Sequence, residues 1–212
     1  MCKKSNYVTY GSCCAGVSGA SKEITGCRFS LAPMSDRFIP IILEAISKTD
    51  TSKVWSETGK LSTVYRGKQV HVLDTVKACF ANAYCPDVHM TMTATFSKGC
   101  PGDVDADAFL ETDDILMNEE QVRNIHFETS CKIGLYPMGV DNYMEHIAHV
   151  VNNAIDRGIY VRSAHYATEL QGDVQELFDY FSYVCEYCGK NISHYVFEVM
   201  LSVNSPTKEE KE

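Results

Sequence analysis

The chain has 212 residues, of which 45% are hydrophobic and 22% are charged, and its formal net charge is −9. These proportions are those of a soluble globular protein with room for one or two hydrophobic cores. The negative charge and the lack of a Lys/Arg cluster argue against binding to nucleic acid or to an anionic membrane surface, and leave neutral or cationic small ligands open.

No apolar run approaches the 18 or more residues of a membrane span, and the N-terminal stretch lacks the apolar centre of a signal peptide. We therefore expect a cytoplasmic protein with reduced thiols and no direct membrane insertion. Residues 1–25 predict a flexible arm. Its Cys13 and Cys14 are better explained as incidental arm cysteines than as a reactive or metal-binding pair.

Residues 27–32 predict a strand that Pro33 ends, and Asp36 is expected to cap a helix with apolar residues at helical spacing. Residues 54–58 and 61–66 predict a hairpin, residues 72–83 a second helix, and residues 88–97 a strictly alternating strand. The order is strand, helix, strand, strand, helix, strand.

The same order returns later in the chain, because CRFSLAPMSD at 27–36 recurs as CKIGLYPMGVD at 131–141. The offset between the copies is 104 and then, after one inserted residue, 105, so that Asp74 matches Asp179 and His89 matches His194. We expect a first repeat over 26–102, an acidic linker over 103–130, a second repeat over 131–206 and a disordered tail over 207–212.

A βαββαβ order predicts an α+β fold with two ferredoxin-like units in tandem, each a four-stranded antiparallel sheet with two helices on one face. The other face of each sheet is left bare. We expect the other repeat or a second subunit to cover it, leaving pockets with polar linings.

The bare face carries the candidate ligand-binding residues, because strand alternation points them away from the core. Aromatic rings there could stack on a flat heteroaromatic ring, and carboxylates could accept hydrogen bonds from an amine or face a cation. An alternative is that the face is only an interface, and a strand-end hydrogen bond explains the two histidines equally well. The candidates are Ser30, Trp55, His89, Thr93, Tyr136, Glu169, His194 and Glu198.

Two other motifs favour structural interpretations, and no catalytic or metal-binding residues are predicted. Cys185 and Cys188 form a CxxC, but they match Phe80 and Ala83 of the first repeat, so core packing is favoured over zinc or redox chemistry. Asp103, Asp105 and Asp107 resemble the start of a calcium loop, but the glycine of its sixth position is Ala108 here and the glutamate of its twelfth is Asp114, which favours a solvated acidic linker.

The chain contains the segments CRFSLAPMSD, DTSKVWSETGKLSTVYRG, FSKGCPGD, LYPM, HYATELQGD and LSVNSP. Taken together, these segments resemble the YkoF family of bacterial thiamin/hydroxymethylpyrimidine-binding proteins. The likeness covers about residues 26–206. It implies a non-enzymatic protein that needs no cofactor, forms a homodimer through its sheet faces and binds thiamin or hydroxymethylpyrimidine (HMP) as its ligand. It also implies a role in vitamin uptake or salvage, with a link to an ABC-type or energy-coupling transporter.

Substitutions between the repeats lead us to expect unequal sites. Glu169, Glu198 and Tyr136 stand where the first repeat has Val64, Thr93 and Ala32, so the second repeat should bind a cation better. Two other classes of function remain open at this point. One is a regulatory or scaffolding module that binds another metabolite or a protein partner, and the other is an enzyme that uses a cysteine or a metal.

Overall fold

A computed structural model describes residues 23–99 and 106–207 of the chain. The first repeat contains β1 (Thr25–Pro33), α1 (Phe38–Lys48), β2 (Val54–Thr58), β3 (Thr63–Gly67), α2 (Gln69–Asn82) and β4 (Met90–Lys98). After a 3₁₀ turn (Asp107–Glu111) and the short α3 (Glu119–Val122), the second repeat contains β5 (Glu128–Met138), α4 (Tyr143–Asp156), β6 (Tyr160–Ala164), β7 (Ala167–Asp173), α5 (Val174–Asn191) and β8 (His194–Val203).

All eight strands form one antiparallel sheet in the order β2-β3-β1-β4-β8-β5-β7-β6. The predicted tandem of two ferredoxin-like βαββαβ units is therefore confirmed. Of the two covers that the sequence suggests for the bare face, the other repeat or a second subunit, the structure excludes the other repeat of the same chain. The repeats lie side by side, because β4 and β8 pair over nine residues, from Met90 opposite Val203 to Lys98 opposite Tyr195.

One face of the sheet carries the helices and the hydrophobic core. Strand residues alternate between the two faces, so in β4 Met92, Ala94 and Phe96 are buried while Thr93 between them is exposed. Phe96 and Phe197 lie at the junction of the repeats, with ring centroids 6.2 Å apart. A single core therefore runs beneath both repeats, and the opposite face of the sheet is open across all eight strands.

The CxxC cysteines belong to that core, as predicted. Cys185 and Cys188 are fully buried on α5, and burial raises the pKa of each thiol to about 12. Thiolate chemistry at neutral pH is therefore disfavoured at both positions. Cys13 and Cys14 lie outside the described residues.

The segment between the repeats packs against α2. The carboxylate of Asp74 accepts hydrogen bonds from the backbone N–H of Asn118 at 3.0 Å and from its side-chain amide at 2.9 Å. Nε2 of His71 lies 2.6 Å from the carbonyl oxygen of Asp113. Lys68 pairs with Asp114 at 2.7 Å. These contacts order a segment whose sequence gives no strong helix or strand signal.

Two local details differ from the sequence expectations. Asp36 does not cap α1, which begins at Phe38 without a side-chain cap; instead, Oγ of Ser35 accepts a hydrogen bond from the N–H of Arg37 at 3.1 Å. Strict alternation from residue 160 predicts both Tyr160 and Arg162 on the bare face, but in β6 a bulge between them breaks the alternation, so Tyr160 packs against the core. In the part of the chain that the structure covers, no helix is long and apolar enough to cross a membrane.

Candidate functional site

Cross-strand register arranges the open face in rows that cross the junction of the repeats. One row runs from Ser30 through Thr93, Met200 and Lys132 to Glu169. The adjacent row contains Thr95, Glu198 and Gly134. Residues far apart in sequence are thus brought within side-chain reach of one another, since neighbouring strands lie about 4.8 Å apart.

Two cavities on this face, with volumes of about 210 and 280 Å³, share Lys132 and Met200 and form one depression. We call it the sheet groove. Its open-face lining comes mainly from the second repeat, with two threonines of β4 across the junction. The lining residues that face out are Thr93, Thr95, Ser130, Lys132, Gly134, Tyr136, Val161, Arg162, Ala167, Glu169, Gln171, Glu198, Met200 and Ser202.

Tyr136 and Glu198 form the most specific polar pair in the groove. The hydroxyl of Tyr136 donates a hydrogen bond to Oε2 of Glu198 at 3.1 Å, and this bond raises the pKa of the phenol. The ring reaches Glu198 by lying over Gly134, where an added Cβ would come within 3.1 Å of the Tyr136 hydroxyl. The glycine therefore permits the close approach, which leaves an aromatic side chain that is 48% exposed beside a carboxylate.

Glu169 is the other carboxylate of the groove, and it is already paired. Its oxygens lie 2.6 Å from Nε of Arg162 and 3.4 Å from Nζ of Lys132. The hydrogen bond from Arg162, assisted by Lys132, lowers the pKa of Glu169 below its usual value. Because two cations already surround this carboxylate, Glu198 is the better acceptor for a cationic or amino ligand.

The structure brings Thr93, Tyr136, Glu169 and Glu198 together in the sheet groove, and it places Ser30 beside Thr93 in the same row. The hydroxyl of Ser30 is engaged, since it donates to the carbonyl oxygen of Leu61 at 2.7 Å. These are five of the eight predicted residues.

The other three predicted residues lie at the margins of the open face. Trp55 is on the edge strand β2, five strand spacings or about 24 Å from β5, with the guanidinium of Arg66 5.7 Å from its ring centroid. His89 and His194 are at opposite ends of the sheet. Nε2 of His89 lies 3.2 Å from Oγ of Ser202, and His194 is four residues, about 13 Å, from Glu198 along β8. One flat ligand therefore cannot stack on both Trp55 and Tyr136 of a single chain.

Sequence reasoning did not select Lys132, Arg162 or Met200, although all three line the groove. Strand alternation already placed them on the bare face. What was missing was the register, because the pairings of β8 with β5, of β5 with β7 and of β7 with β6 together show that these side chains converge on Glu169.

A further cavity of about 370 Å³ opens on the helical side of the sheet. It lies between α1 and the loop that joins α2 to β4, and its lining includes Arg37, Glu44, Asn82 and Tyr84. Nδ2 of Asn82 is buried there without a hydrogen-bond partner. Sequence reasoning missed this cavity because loops, which lack a periodic pattern, form one of its walls.

Metal binding finds no support in the described residues. Over 23–99 and 106–207, no three or more His, Cys, Asp or Glu side chains form a group that could hold a metal ion. Of the three aspartates that resemble the start of a calcium loop, Asp103 and Asp105 lie outside the described part of the chain, and Asp107 begins the 3₁₀ turn.

Comparison with protein families matches the "YKOF-related Family" twice in this chain, over residues 24–103 and 128–208. The chain belongs to the YKOF-related family. The first match contains β1 to β4, and the second contains β5 to β8, so the sheet groove draws residues from both matched segments. Residues 104–127, which include the segment packed on α2, fall between the two.

Among curated proteins, one relative of the YKOF-related type comes from Bacillus subtilis (strain 168) and is described as "Putative HMP/thiamine-binding protein YkoF". It is 42% identical to this chain over 195 residues, which cover 92% of this chain and 97% of the relative. The similarity thus extends over nearly the whole of both proteins.

Proposed function

We propose that this protein binds thiamin or its HMP precursor, without transforming it, in the sheet groove. The observation that carries the proposal is the Tyr136–Glu198 pair beside Lys132. An aminopyrimidine presents an exocyclic amine, which donates hydrogen bonds, and ring nitrogens, which accept them. Glu198 matches the amine, the ammonium of Lys132 matches a ring nitrogen, and the Tyr136 ring offers a stacking surface.

The charges of the groove support the same ligand class. Glu198 carries a negative charge that faces solvent, and the thiazolium ring of thiamin is a cation. The name of the Bacillus subtilis relative agrees with this chemistry. An unreactive role is in keeping with the site, whose polar groups are arranged to accept and donate hydrogen bonds around a flat ring.

We further propose that a second copy of the chain covers the open face and closes the groove. The face exposes large apolar side chains at Tyr136, Val161 and Met200, which are 48%, 41% and 50% exposed. Burying them between two sheets would exclude water from the ligand and strengthen its hydrogen bonds. A thiamin- or HMP-binding homodimer in the cytoplasm could supply a transporter or a salvage pathway with the vitamin.

Calorimetric titration tests the binding proposal. Thiamin and HMP are each titrated into the wild-type protein, the Glu198→Gln variant and a matched Glu57→Gln variant, which removes an exposed carboxylate from the first repeat. We expect Glu198→Gln to lower the affinity for both ligands at least about tenfold, since charge-assisted hydrogen bonds contribute about 1.5–3 kcal/mol. Glu57→Gln should leave both affinities nearly unchanged. Recovery of unchanged ligand by chromatography checks that no reaction occurs.

Binding of neither ligand to the wild-type protein would exclude the proposal and favour a scaffolding or regulatory module. Sedimentation of a Thr95→Arg variant tests the dimer separately, because Thr95 lies at the junction of the repeats, in the middle of the open face. We expect this variant to be monomeric. A Leu43→Arg variant on the exposed side of α1 should keep the oligomeric state of the wild type.

A further inference from the structure

The sheet groove has two ends that differ in charge. At one end Glu198 lies beside Tyr136, and the charged residues at the other end are Lys132, Arg162 and Glu169. We call these last three residues the basic end of the groove, because two of them are cations and one is a carboxylate. Among the described residues that line this cavity of about 210 Å³, they are the charged ones. The basic end therefore carries one positive charge in excess.

The hydrogen-bond donors of the basic end outnumber its acceptors. Nε of Arg162 lies 2.6 Å from Oε2 of Glu169, and Nζ of Lys132 lies 3.4 Å from Oε1. A guanidinium and an ammonium together carry about eight N–H donors, whereas one carboxylate offers about four lone-pair sites. The side chain of Glu169 is 19% exposed, while those of Arg162 and Lys132 are 69% and 49% exposed. The two cations are therefore more accessible to a ligand than the carboxylate between them.

The bulge of β6 is what adds Arg162 to this cavity. In a regular strand, Val161 and Arg162 would point to opposite faces of the sheet, but after the bulge both line the same cavity. The equivalent strand of the first repeat, β2, pairs without a bulge. Bulges often lie beside binding sites, where they re-aim side chains. Val161 and Met200 add apolar lining, so the cavity suits a ligand with an apolar or aromatic body and an anionic group.

One further carboxylate, Glu128, lies outside the basic end. It lines the wider opening of the groove and accepts a hydrogen bond from the side-chain amide of Gln171 at 2.7 Å. Because Glu128 is exposed, water and salt screen its charge. Glu169 is therefore the carboxylate that most opposes an anion in this cavity.

The two ends of the groove are within reach of one small ligand. Glu198 lies opposite Gly134 of β5, and Lys132 is two residues, or about 7 Å, along that strand. Lys132 pairs with Glu169, which pairs with Arg162, so Arg162 lies two strands, or about 10 Å, to the side of β5. A ligand whose amine contacts Glu198 can therefore extend to the cations.

We propose that the basic end is an anion subsite, and that the preferred ligands of the sheet groove are phosphate monoesters of its aminopyrimidine ligand. This inference rests on the proposed function, since it takes the aminopyrimidine to lie at Tyr136 and Glu198. The phosphate accepts charge-assisted hydrogen bonds from Lys132 and Arg162. HMP phosphate and thiamin phosphate share this chemistry. The first places its phosphate close to the pyrimidine ring and toward Lys132, and the longer second ligand reaches Arg162.

Calorimetric titration of the full-length protein at pH 7.5 compares HMP with HMP phosphate and thiamin with thiamin phosphate. At this pH the phosphate carries about two negative charges. We expect a phosphate ester to bind at least about threefold more tightly than its own alcohol, as for ion pairs that are partly exposed. The pair with the larger ratio of ester affinity to alcohol affinity identifies the source of the phosphate.

The two proposals fail in different ways. If HMP or thiamin binds and neither ester binds more tightly than its alcohol, the anion subsite is overturned and the proposed function stands. If none of the four compounds binds, both proposals are overturned.

Variants locate the phosphate. Arg162→Gln should lower the ratio of ester affinity to alcohol affinity at least about twofold, and Glu169→Gln should raise it, because a like charge is removed. An ion pair with only a structural role would leave the ratio unchanged in both variants. Arg123→Gln, which removes an exposed cation from the segment between the repeats, should keep the ratio of the wild type. An unchanged ratio in Arg162→Gln, or a lowered ratio in Glu169→Gln, overturns the proposal.

Discussion

The two halves of the open face share a backbone but differ in the chemistry they present. At equivalent positions the first repeat has Ala32 and Thr93 where the second has Tyr136 and Glu198, and Ser30 stands where Gly134 lets the tyrosine ring lie flat. The residues that build the strands and the core keep their apolar pattern in both repeats. If the protein binds its ligand as proposed, specificity therefore depends on a few outward-facing positions, whereas the fold depends on the apolar pattern that both repeats share.

Replacing Tyr136 and Glu198 with their counterparts from the first repeat should have the largest effect on thiamin affinity. A Tyr136→Ala/Glu198→Thr double variant carries the side chains of the first repeat at both positions. We expect thiamin affinity in the sheet groove to fall about a hundredfold, because a charge-assisted hydrogen bond and an aromatic contact are lost together. Calorimetry measures the loss. Retention of wild-type affinity would show that the difference between the halves has no role in binding.

Two single variants separate the stacking role of Tyr136 from its hydrogen bond to Glu198, and each should reduce ligand affinity less than the double variant does. Tyr136→Ala removes the stacking surface and should weaken HMP about threefold to tenfold, in keeping with the 0.5–1.5 kcal/mol of an aromatic pair. Tyr136→Phe keeps the ring and removes only the hydrogen bond to Glu198, so it should bind HMP better than Tyr136→Ala does. Equal affinities of the two variants would contradict stacking on this ring.

A Gly134→Ala variant tests the geometry that distinguishes the second half. The new methyl group would come within 3.1–3.4 Å of the Tyr136 ring and hydroxyl, so the exposed ring must move and its bond to Glu198 must lengthen. We expect a twofold to threefold loss of ligand affinity and a fall of the Tyr136 pKa toward its ordinary value, measured by ultraviolet titration. In a Ser30→Ala variant, the matched control in the first repeat, both quantities should remain as in the wild type.

The smallest expected effect is the change in the free energy of unfolding when Glu169 is substituted. Its folded-state pKa is lowered by Arg162 and Lys132, so ionised Glu169 stabilises the fold at pH values above its unfolded pKa of about 4.3. This contribution is lost as pH falls through the lower folded-state pKa. Glu169→Gln should reduce the free energy of unfolding by about 1 kcal/mol or less at pH 7, since the side chains of Arg162 and Lys132 are 69% and 49% exposed, and by less near pH 3 than at pH 7.

Denaturant unfolding at the two pH values checks the Glu169 prediction. If the difference in the free energy of unfolding between the wild type and Glu169→Gln grows as the pH is lowered, the prediction is wrong. Glu57→Gln in the first repeat serves again as the control.

The fold could be predicted from the sequence because local patterns specify its strands and helices. Alternation in residues 88–97 and the recurrence of CRFSLAPMSD specify strands, faces and a tandem unit. The relation between the units could not be predicted, since either edge-to-edge pairing or face-to-face packing would bury similar apolar residues. The pairing of β4 with β8 decides it, and leaves the whole sheet open on one side.

The sequence likewise predicts only part of the candidate site. Alternation correctly placed Thr93, Glu169 and Glu198 on one face, but distance along that face depends on register, which separates Trp55 from Tyr136 by about 24 Å. The bulge that turns Tyr160 toward the core has no signal in the local alternation of β6. Contacts made by the linker, such as Asn118 with Asp74, bring together residues without periodic spacing and were beyond sequence reasoning.

The most direct test of the location of the ligand is a thiamin titration of the protein labelled with ¹³C at the methionine methyl groups. Met200 lies in the sheet groove, while Met34 and Met144 are exposed near the helices, at the start of α1 and on α4. We predict a saturable shift of the Met200 methyl signal, absent in the Tyr136→Ala/Glu198→Thr variant, and unchanged Met34 and Met144 signals. A shift of Met34 or Met144 with Met200 unchanged would contradict binding on the open face.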